Sequence, residues 1–407
     1  MRCLRKVIAD LKDKIVWNFP WLSRYPFWRS NEMLRRVKDG PGGQHVIFTV
    51  ANHFEPGYNV IPNDRGGLGV ELPWDTQVRR LEDWCDQALA IGEAVRDHDG
   101  TPFRHTNFYP IEQYNRRLLD RMAELQDAGF GEVEIHLHHG VESPDNAENL
   151  RRTLVKYRDI FANEHRCLSR EHDNDIPRYA FVHGNWTLGN SGDGWCCGVD
   201  SELEILAETG CYIDMSLPSM PSRAQVSRIN AIYECGYPLN QRKAHRSGPS
   251  LKVGAEPKLP VILCGPLIFD WQGRMQGLPL PKVDNGALTS NYPMNLTRFD
   301  RWRNARITVE GRPEWVFVKV YCHGFFDHDQ PALIGDKMRV FLQEVLEFAD
   351  RTGKFKLHFA SAREAFNMVM AATEGQSGDP DLYRDYKLRQ IMKMDSRFPS
   401  RVQVGHS

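Results

Sequence analysis

The stretch "IEQYNRRLLDRMAELQDAGFGEVEIHLHH", residues 111–139, indicates how this chain folds. Residues 111–131 form a predicted helix that stops at glycine, and residues 132–139 form a predicted strand that ends in histidines. Another predicted strand, at 103–110, precedes the helix. Because a strand, a helix and a second strand in succession are typical of parallel pairing, the chain belongs to the α/β class.

The same alternation continues along the chain. Further strands are predicted at 45–50, 178–186, 211–219, 314–324 and 355–361, and further helices at 74–100, 145–165, 199–209 and 331–352. About seven such units without the glycine fingerprint of a dinucleotide-binding sheet favour a (β/α) barrel. In such a barrel the chemistry lies at the C-terminal ends of the strands.

The alternation is interrupted at residues 219–312, where two strand-like segments lie between Pro- and Gly-rich stretches. This region is interpreted as a large insertion between late barrel strands. The predicted domains are therefore an N-terminal basic and aromatic extension at 1–43, a barrel at 44–370 that contains the insertion, and a C-terminal tail at 371–407.

The composition excludes some classes of function. The chain has 407 residues, of which 41% are hydrophobic, so it can bury a large core. Its 52 Lys and Arg residues against 53 Asp and Glu residues give no charge bias toward nucleic acid. Nine cysteines are scattered without a CxxC pair, which indicates no disulfide framework and favours a reducing compartment such as the cytoplasm.

The N-terminal extension carries Lys12, Asp13 and Lys14 inside its best apolar run. These charges rule against a secretory signal and against an integral membrane segment. The mixture of basic and aromatic residues is nevertheless compatible with contact with a membrane surface. The extension could therefore hold a cytoplasmic protein at the periphery of the inner membrane.

Three histidines end the strand at 132–139. Side chains alternate along a strand, so His136 and His138 point the same way, whereas His139 begins the following loop. Two imidazoles on one face can converge on a zinc-class ion. His136 and His138 are therefore candidate metal ligands, and His139 is a candidate for the same site or for its support.

Two more groups follow predicted strands. Asn52, His53 and Glu55 come after the first strand and could supply metal ligands or a base. His323 ends the nearly apolar strand at 314–324, a position that suits a general acid or an oxyanion partner.

A fourth group is typical of sugar binding. His183, Asn185 and Trp186 follow the strand at 178–186, where an indole face could stack on a pyranose while polar groups bind its hydroxyls. Asp214 follows the next strand and could support a catalytic group or cap a turn.

Taken in order, these strand ends resemble the polysaccharide deacetylase superfamily, whose members share a distorted (β/α)7 barrel. The resemblance covers roughly residues 45–370 without the insertion and concerns order and layout more than exact motifs. The family motif T-F-D-D falls on residues 49–52, where Ala51 and Asn52 stand in place of two aspartates. The other motifs fall on residues 134–142, 182–185, 210–214, 320–323 and 353–367.

The resemblance implies a metal-dependent hydrolase that removes an acetyl group from an amino sugar or a polysaccharide precursor. His136 and His138, with His53 or Asn52, would hold a divalent ion, for which zinc is the first choice. Glu55 would act as the base toward the water, and His323 would protonate the leaving amine. A carbohydrate substrate is therefore expected.

Two other functions remain open at this point. A metal-independent glycoside hydrolase of the same barrel superfamily would need paired carboxylates about 5–10 Å apart, for which Glu55 and Asp214 are the candidates. Loss of the two aspartates would also suit a degenerate relative that binds carbohydrate without cleaving it.

Overall fold

The computed structural model describes residues 2–36, 43–59, 69–271 and 282–392. The helices in these ranges are α1 (Arg2–Leu22), α2 (Tyr25–Arg36), α3 (Trp74–Ala94), α4 (Arg116–Asp127), α5 (Ala147–Asn163), α6 (Glu202–Thr209), α7 (Leu296–Arg303), α8 (Gln330–Leu333), α9 (Asp336–Thr352) and α10 (Ala362–Thr373). The strands are β1 (Gln44–His53), β2 (Tyr58–Asn59), β3 (Val70–Glu71), β4 (His105–Pro110), β5 (Gly131–Leu137), β6 (Ser169–Glu171), β7 (Pro177–His183), β8 (Cys211–Asp214), β9 (Ala231–Glu234), β10 (Val261–Cys264), β11 (Ile268–Asp270), β12 (Lys282–Asp284), β13 (Trp315–Cys322), β14 (Phe355–Phe359) and β15 (Leu388–Gln390).

A large, mostly parallel sheet forms the centre of the molecule and confirms the predicted α/β class. Its strand order is β13-β1-β4-β5-β7-β8-β10-β9, with every neighbouring pair parallel except β10 and β9. β14 also pairs in parallel with β1. The strands are almost entirely buried, as expected for a parallel sheet covered by helices.

Several helices begin at residues whose side chains cap the first turn of the helix. The side-chain oxygens of Asn115, Asn146 and Asn295 accept backbone N–H groups in the first turns of α4, α5 and α7. Ser361 and Glu364 form a reciprocal capping box at the start of α10. Because each cap satisfies N–H groups that a helix leaves unpaired, the caps fix where these helices start after their strands.

The sheet curves, so that strands far apart in its order approach each other. No backbone ladder joins β10 to β13 in the described part of the chain, so hydrogen bonding does not close a barrel there. The buried Lys319 of β13 nevertheless donates from Nζ to the carbonyl oxygens of Met215 (2.8 Å) and Leu217 (2.6 Å), which follow β8. β13 and β8 are therefore close in space although four strands separate them in the sheet order.

The region predicted as an insertion contains part of the central sheet. β10 pairs in parallel with β8, and β9 pairs with β10 in the antiparallel direction. Of the two strand-like segments in this region, at 260–274 and 305–315, the second does not form a strand along its length. Gly311 has φ +93° and Pro313 follows it, and both interrupt extended pairing. The helix predicted at 331–352 is divided into α8 and α9 at Gly335.

The N-terminal extension packs on the protein through two aromatic residues. Trp21 and Tyr25 are buried with Ile229 and Leu267, so these two side chains are not free for contact with a membrane surface. Within the described ranges, every helix is too short or too polar to cross a bilayer.

At the other terminus, β15 pairs with β6, whereas residues 393–407 lie outside the described residues. The predicted domain limits remain a prediction.

Lys319→Met is expected to lower the free energy of unfolding by about 2–4 kcal/mol, since two buried carbonyl groups lose their donor. Urea unfolding followed by circular dichroism measures the change. Lys356→Met is the matched control, because Lys356 is half exposed and its ion pair with Asp379 contributes less than about 1 kcal/mol. Equal stability of the two variants would contradict the bridging role of Lys319.

Candidate metal centre

The C-terminal ends of β1, β5 and β13 bring four imidazoles into one cluster. The ring centroid of His53 lies 4.8 Å from that of His136 and 4.5 Å from that of His323. The rings of His136 and His138 are 4.6 Å apart. These side chains come from segments that are distant in sequence, and the parallel sheet places them together.

Glu55 joins this cluster from the loop after β1. Its Oε1 lies 3.1 Å from Nε2 of His136 and 3.2 Å from Nε2 of His138. The three ligand atoms lie within 4.8 Å of one another, and the set His53, Glu55 and His323 satisfies the same limit. Glu55 is therefore shared between two groups that could each hold a cation.

The rings of His136 and His138 are oriented by hydrogen bonds on their far sides. Nδ1 of His136 lies 2.7 Å from the carbonyl oxygen of Val182, and Nδ1 of His138 lies 2.7 Å from Oε1 of Glu112. Because a carbonyl or carboxylate oxygen can only accept, each Nδ1 carries the hydrogen and each Nε2 faces Glu55. This is the arrangement typical of metal-binding histidines, whose second nitrogen is held by an oxygen acceptor.

The electrostatics of the cluster divide its members into two groups. Burial lowers the pKa of His138, but Glu112 and Glu55 outweigh it and raise that pKa to about 10. Burial opposes ionisation of Glu55, yet its hydrogen bonds with His136 and His138 hold its pKa well below the usual value. Burial lowers the pKa of His53 and of His323, so both imidazoles are neutral at pH 7.

The residues present fit a divalent metal ion. Two imidazole Nε2 atoms and one carboxylate form the ligand set of many catalytic zinc sites, which leave a further position open. Without a cation, the ionised Glu55 contacts two imidazoles in a buried place. This contact needs a proton on Nε2 of each imidazole. A zinc-class ion would take the place of these protons between Glu55 and the two rings.

Aromatic side chains line one side of this cluster. The ring of Trp186 lies 6.1 Å from each of the rings of His53 and His323, and 6.3 Å from that of Tyr321. Asn185 and Trp186 have φ of +55° and +59°, a conformation that is rare for tryptophan and that directs the indole toward the histidines.

Two predicted site residues have other partners. Asn52 is fully buried; its Nδ2 donates to Oδ1 of Asn107 at 2.9 Å, and its Oδ1 accepts the N–H of Gly324 at 2.8 Å. Asp214 is also fully buried, accepts from the N–H and the hydroxyl of Ser216, and has its pKa raised to about 7 by burial. Neither belongs to the groups that share ligand distances around Glu55.

His139 and His183 belong to a second, fully buried cluster. Their Nε2 atoms are 3.1 Å apart, and Cys197 and Glu202 complete the group. In the structure, His139 lies in a different group from His136 and His138. His183, expected to bind substrate, lies in this buried cluster and does not face the cavity described next.

An open cavity of about 610 Å³ lies beside the first cluster. Glu112, His138 and His139 line it together with polar residues that include Asn149 and Arg152. The cavity is large enough for a sugar-sized ligand and reaches one of the candidate metal ligands directly.

Sequence reasoning missed Glu112, Cys197 and Glu202. Glu112 follows the end of β4, and the rule used for the other strand ends would have found it. Cys197 and Glu202 lie in a loop and at the start of a helix, where no spacing indicates a shared ligand.

Comparisons with known proteins give little beyond this geometry. No family model and no curated protein matches the sequence. Among solved structures, the chain is similar to the "crystal structure of putative polysaccharide deacetylase from Mycobacterium smegmatis", with a TM-score of 0.44 and 14% identity. This likeness covers 83% of the present chain and 94% of the other chain. Because this likeness is distant, no reaction and no residue role is taken from it. The chemistry of the site is argued from its own side chains.

In metal-free protein, His138 is expected to titrate near pH 10, above its ordinary value of 6.5. Protonated His138 therefore stabilises the metal-free fold below pH 6.5, and this contribution is lost as the pH rises through about 10. Glu112→Gln should lower the pKa because it removes the partner charge. Histidine NMR during a pH titration measures it, with the exposed Glu82→Gln as control, and an unchanged pKa in Glu112→Gln would contradict the assignment.

Proposed function

We propose that this protein is a metal-dependent hydrolase that removes an acetyl group from a carbohydrate. The observation that supports it best is the convergence of His136, His138 and Glu55, with the neutral His53 and His323 beside them, at the C-terminal edge of a parallel sheet. The proposal includes the finer view of the curved sheet as a distorted (β/α)7 barrel, because active sites of such barrels lie at this edge.

The ion would be held by His136, His138 and Glu55. A divalent ion supplies positive charge that polarises a carbonyl group and makes water more acidic. Glu55 suits the role of ligand better than that of base, because two imidazoles contact its carboxylate and its pKa lies well below the usual value. Glu112 and the carbonyl of Val182 would keep the two imidazole rings in place.

His323 would transfer a proton from the attacking water to the leaving group. Its imidazole is neutral at pH 7, so it can accept a proton from water as the bond between the water oxygen and the acetyl carbon forms. It then returns that proton to the sugar nitrogen or oxygen as the bond to the acetyl carbon breaks. The products are acetate and a free amine or hydroxyl. The nearby Glu55 carboxylate favours the transient positive charge on His323.

The carbohydrate would lie over Trp186 and extend into the adjacent cavity. The indole face can stack on a pyranose ring, and the buried Nδ2 of Asn185 has no hydrogen-bond partner within the described residues. Glu142 and Arg152 add polar groups on the cavity wall. This combination of an aromatic face and scattered polar groups is typical of sugar sites.

The glycosidase alternative is weaker. It depends on Asp214 as the second carboxylate, and the carboxylate of Asp214 is fully buried and bonded to Ser216. A protein that only binds carbohydrate would have no need for oriented Nε2 atoms on His136 and His138.

His136→Ala and His138→Ala are expected to lose one equivalent of divalent ion per chain and to abolish acetate release. Elemental analysis of purified protein measures the ion, and an acetate assay on a panel of N-acetylated and O-acetylated sugars measures the reaction. His172→Ala is the control, since His172 is exposed and contacts the backbone of Asp385 instead.

Unchanged ion content in both variants would contradict the proposed metal site. Release of new reducing ends without acetate would favour the glycosidase. Sugar binding that resists chelator, with no turnover, would favour the binding protein.

His323→Asn is expected to keep the ion but to lower kcat by a factor of about 10² to 10⁴, because the variant cannot transfer the proton. His328→Asn is the matched control, since His328 is largely exposed on the same loop. Full activity in His323→Asn would remove His323 from the mechanism.

A further inference from the structure

The second cluster brings four potential ligand atoms together among buried side chains. It contains Nε2 of His139 and of His183, Sγ of Cys197 and the carboxylate of Glu202, all within 4.8 Å of one another. Every member is buried. The loop after β5, the end of β7, the loop before α6 and the first residue of α6 each contribute one ligand.

The spacing matches a tetrahedral zinc-class ion. Ligand atoms about 2.0–2.3 Å from such an ion lie about 3.3–3.6 Å from one another. Here the two Nε2 atoms are 3.1 Å apart, and Oε1 of Glu202 lies 3.2 Å from Nε2 of His139 and 3.3 Å from Nε2 of His183. Sγ of Cys197 lies within 4.8 Å of the other ligand atoms. A small ion fits between these atoms without a large movement.

The second atom of three ligands is held by an oriented partner. Nδ1 of His139 lies 3.0 Å from Oδ2 of Asp145. Nδ1 of His183 bonds to the carbonyl oxygen of Gly184. Oε2 of Glu202 accepts the N–H of Gly189 at 2.6 Å. These contacts orient the ligand atoms toward one point, as the outer partners of metal ligands do.

The facing nitrogens require a positive species between them. Because both Nδ1 atoms bond to oxygen acceptors, each carries its hydrogen, and two neutral rings would oppose lone pairs at 3.1 Å. A single proton could bridge the imidazoles, with the Cys197 thiol donating to Oε2 of Glu202, but it would not use Sγ as a ligand. A cation satisfies all four groups at once.

We propose that His139, His183, Cys197 and Glu202 form a structural site for zinc or a similar ion. Coordination by four protein ligands would leave no position for substrate, unlike the first cluster. The ion would cross-link four segments of the chain. It would also fix Gly184, whose backbone packs so closely on the His138 ring that a Cβ there would approach it within 2.3 Å.

Cobalt(II) added to chelator-treated protein provides a test, because the second cluster contains a cysteine and the first cluster does not. Two equivalents should bind, and a thiolate-to-cobalt charge-transfer band should reach the intensity that corresponds to one cysteine-ligated ion per chain. The band should remain in the double variant His136→Ala/His138→Ala and in Cys196→Ser, the neighbouring-cysteine control. It should be absent from Cys197→Ser.

A band that persists in Cys197→Ser, or its absence from wild-type protein that has bound cobalt, would overturn the proposal. X-ray absorption at the zinc edge does not depend on whether Cys197→Ser folds. In the zinc-loaded double variant His136→Ala/His138→Ala it should show one sulfur and three nitrogen or oxygen neighbours. A spectrum without sulfur, or a double variant that binds no zinc, would also overturn the site.

Discussion

The parallel direction of β1, β5, β7 and β13 is the constraint on which the rest of the structure depends. Parallel strands place all their C-terminal ends at one edge of the sheet, and each of these strands ends in or is followed by histidine. The alternation of side chains then separates the histidines into two sets. Within the described residues, these strand ends therefore carry two imidazole clusters and not a single large one.

Much of the fold could be predicted because it follows local patterns. The strand and helix alternation and the buried parallel sheet come directly from apolar periodicity and helix stops. β10 was not predicted as a central strand, since it is a four-residue apolar run whose pairing with β8 is decided by tertiary contacts. The break at Gly335 and the irregular segment around Gly311 likewise depend on local turns that an apolar pattern does not show.

The sequence indicated which strand ends carry the site residues. It did not indicate which of these side chains contact one another. His53, His136 and His323 come together as strand ends should. The contact of Glu55 with two imidazoles depends on a loop conformation that no spacing encodes. Glu202 contacts His139 across 63 residues of sequence, and such a pair becomes visible only when the helix and the strand are placed together.

Asn52 stands where the family that the sequence resembles has an aspartate, and its amide makes two hydrogen bonds of its own. An aspartate could not donate to Asn107 and would carry a charge in a fully buried place. The amide instead ties the end of β1 to β4 and to the turn after β13. The side chains that surround Glu55 are thus held in position before any ligand arrives. The entropy of ordering the site is lost during folding and does not weaken binding, which is how a rigid receptor differs from one that closes around its ligand.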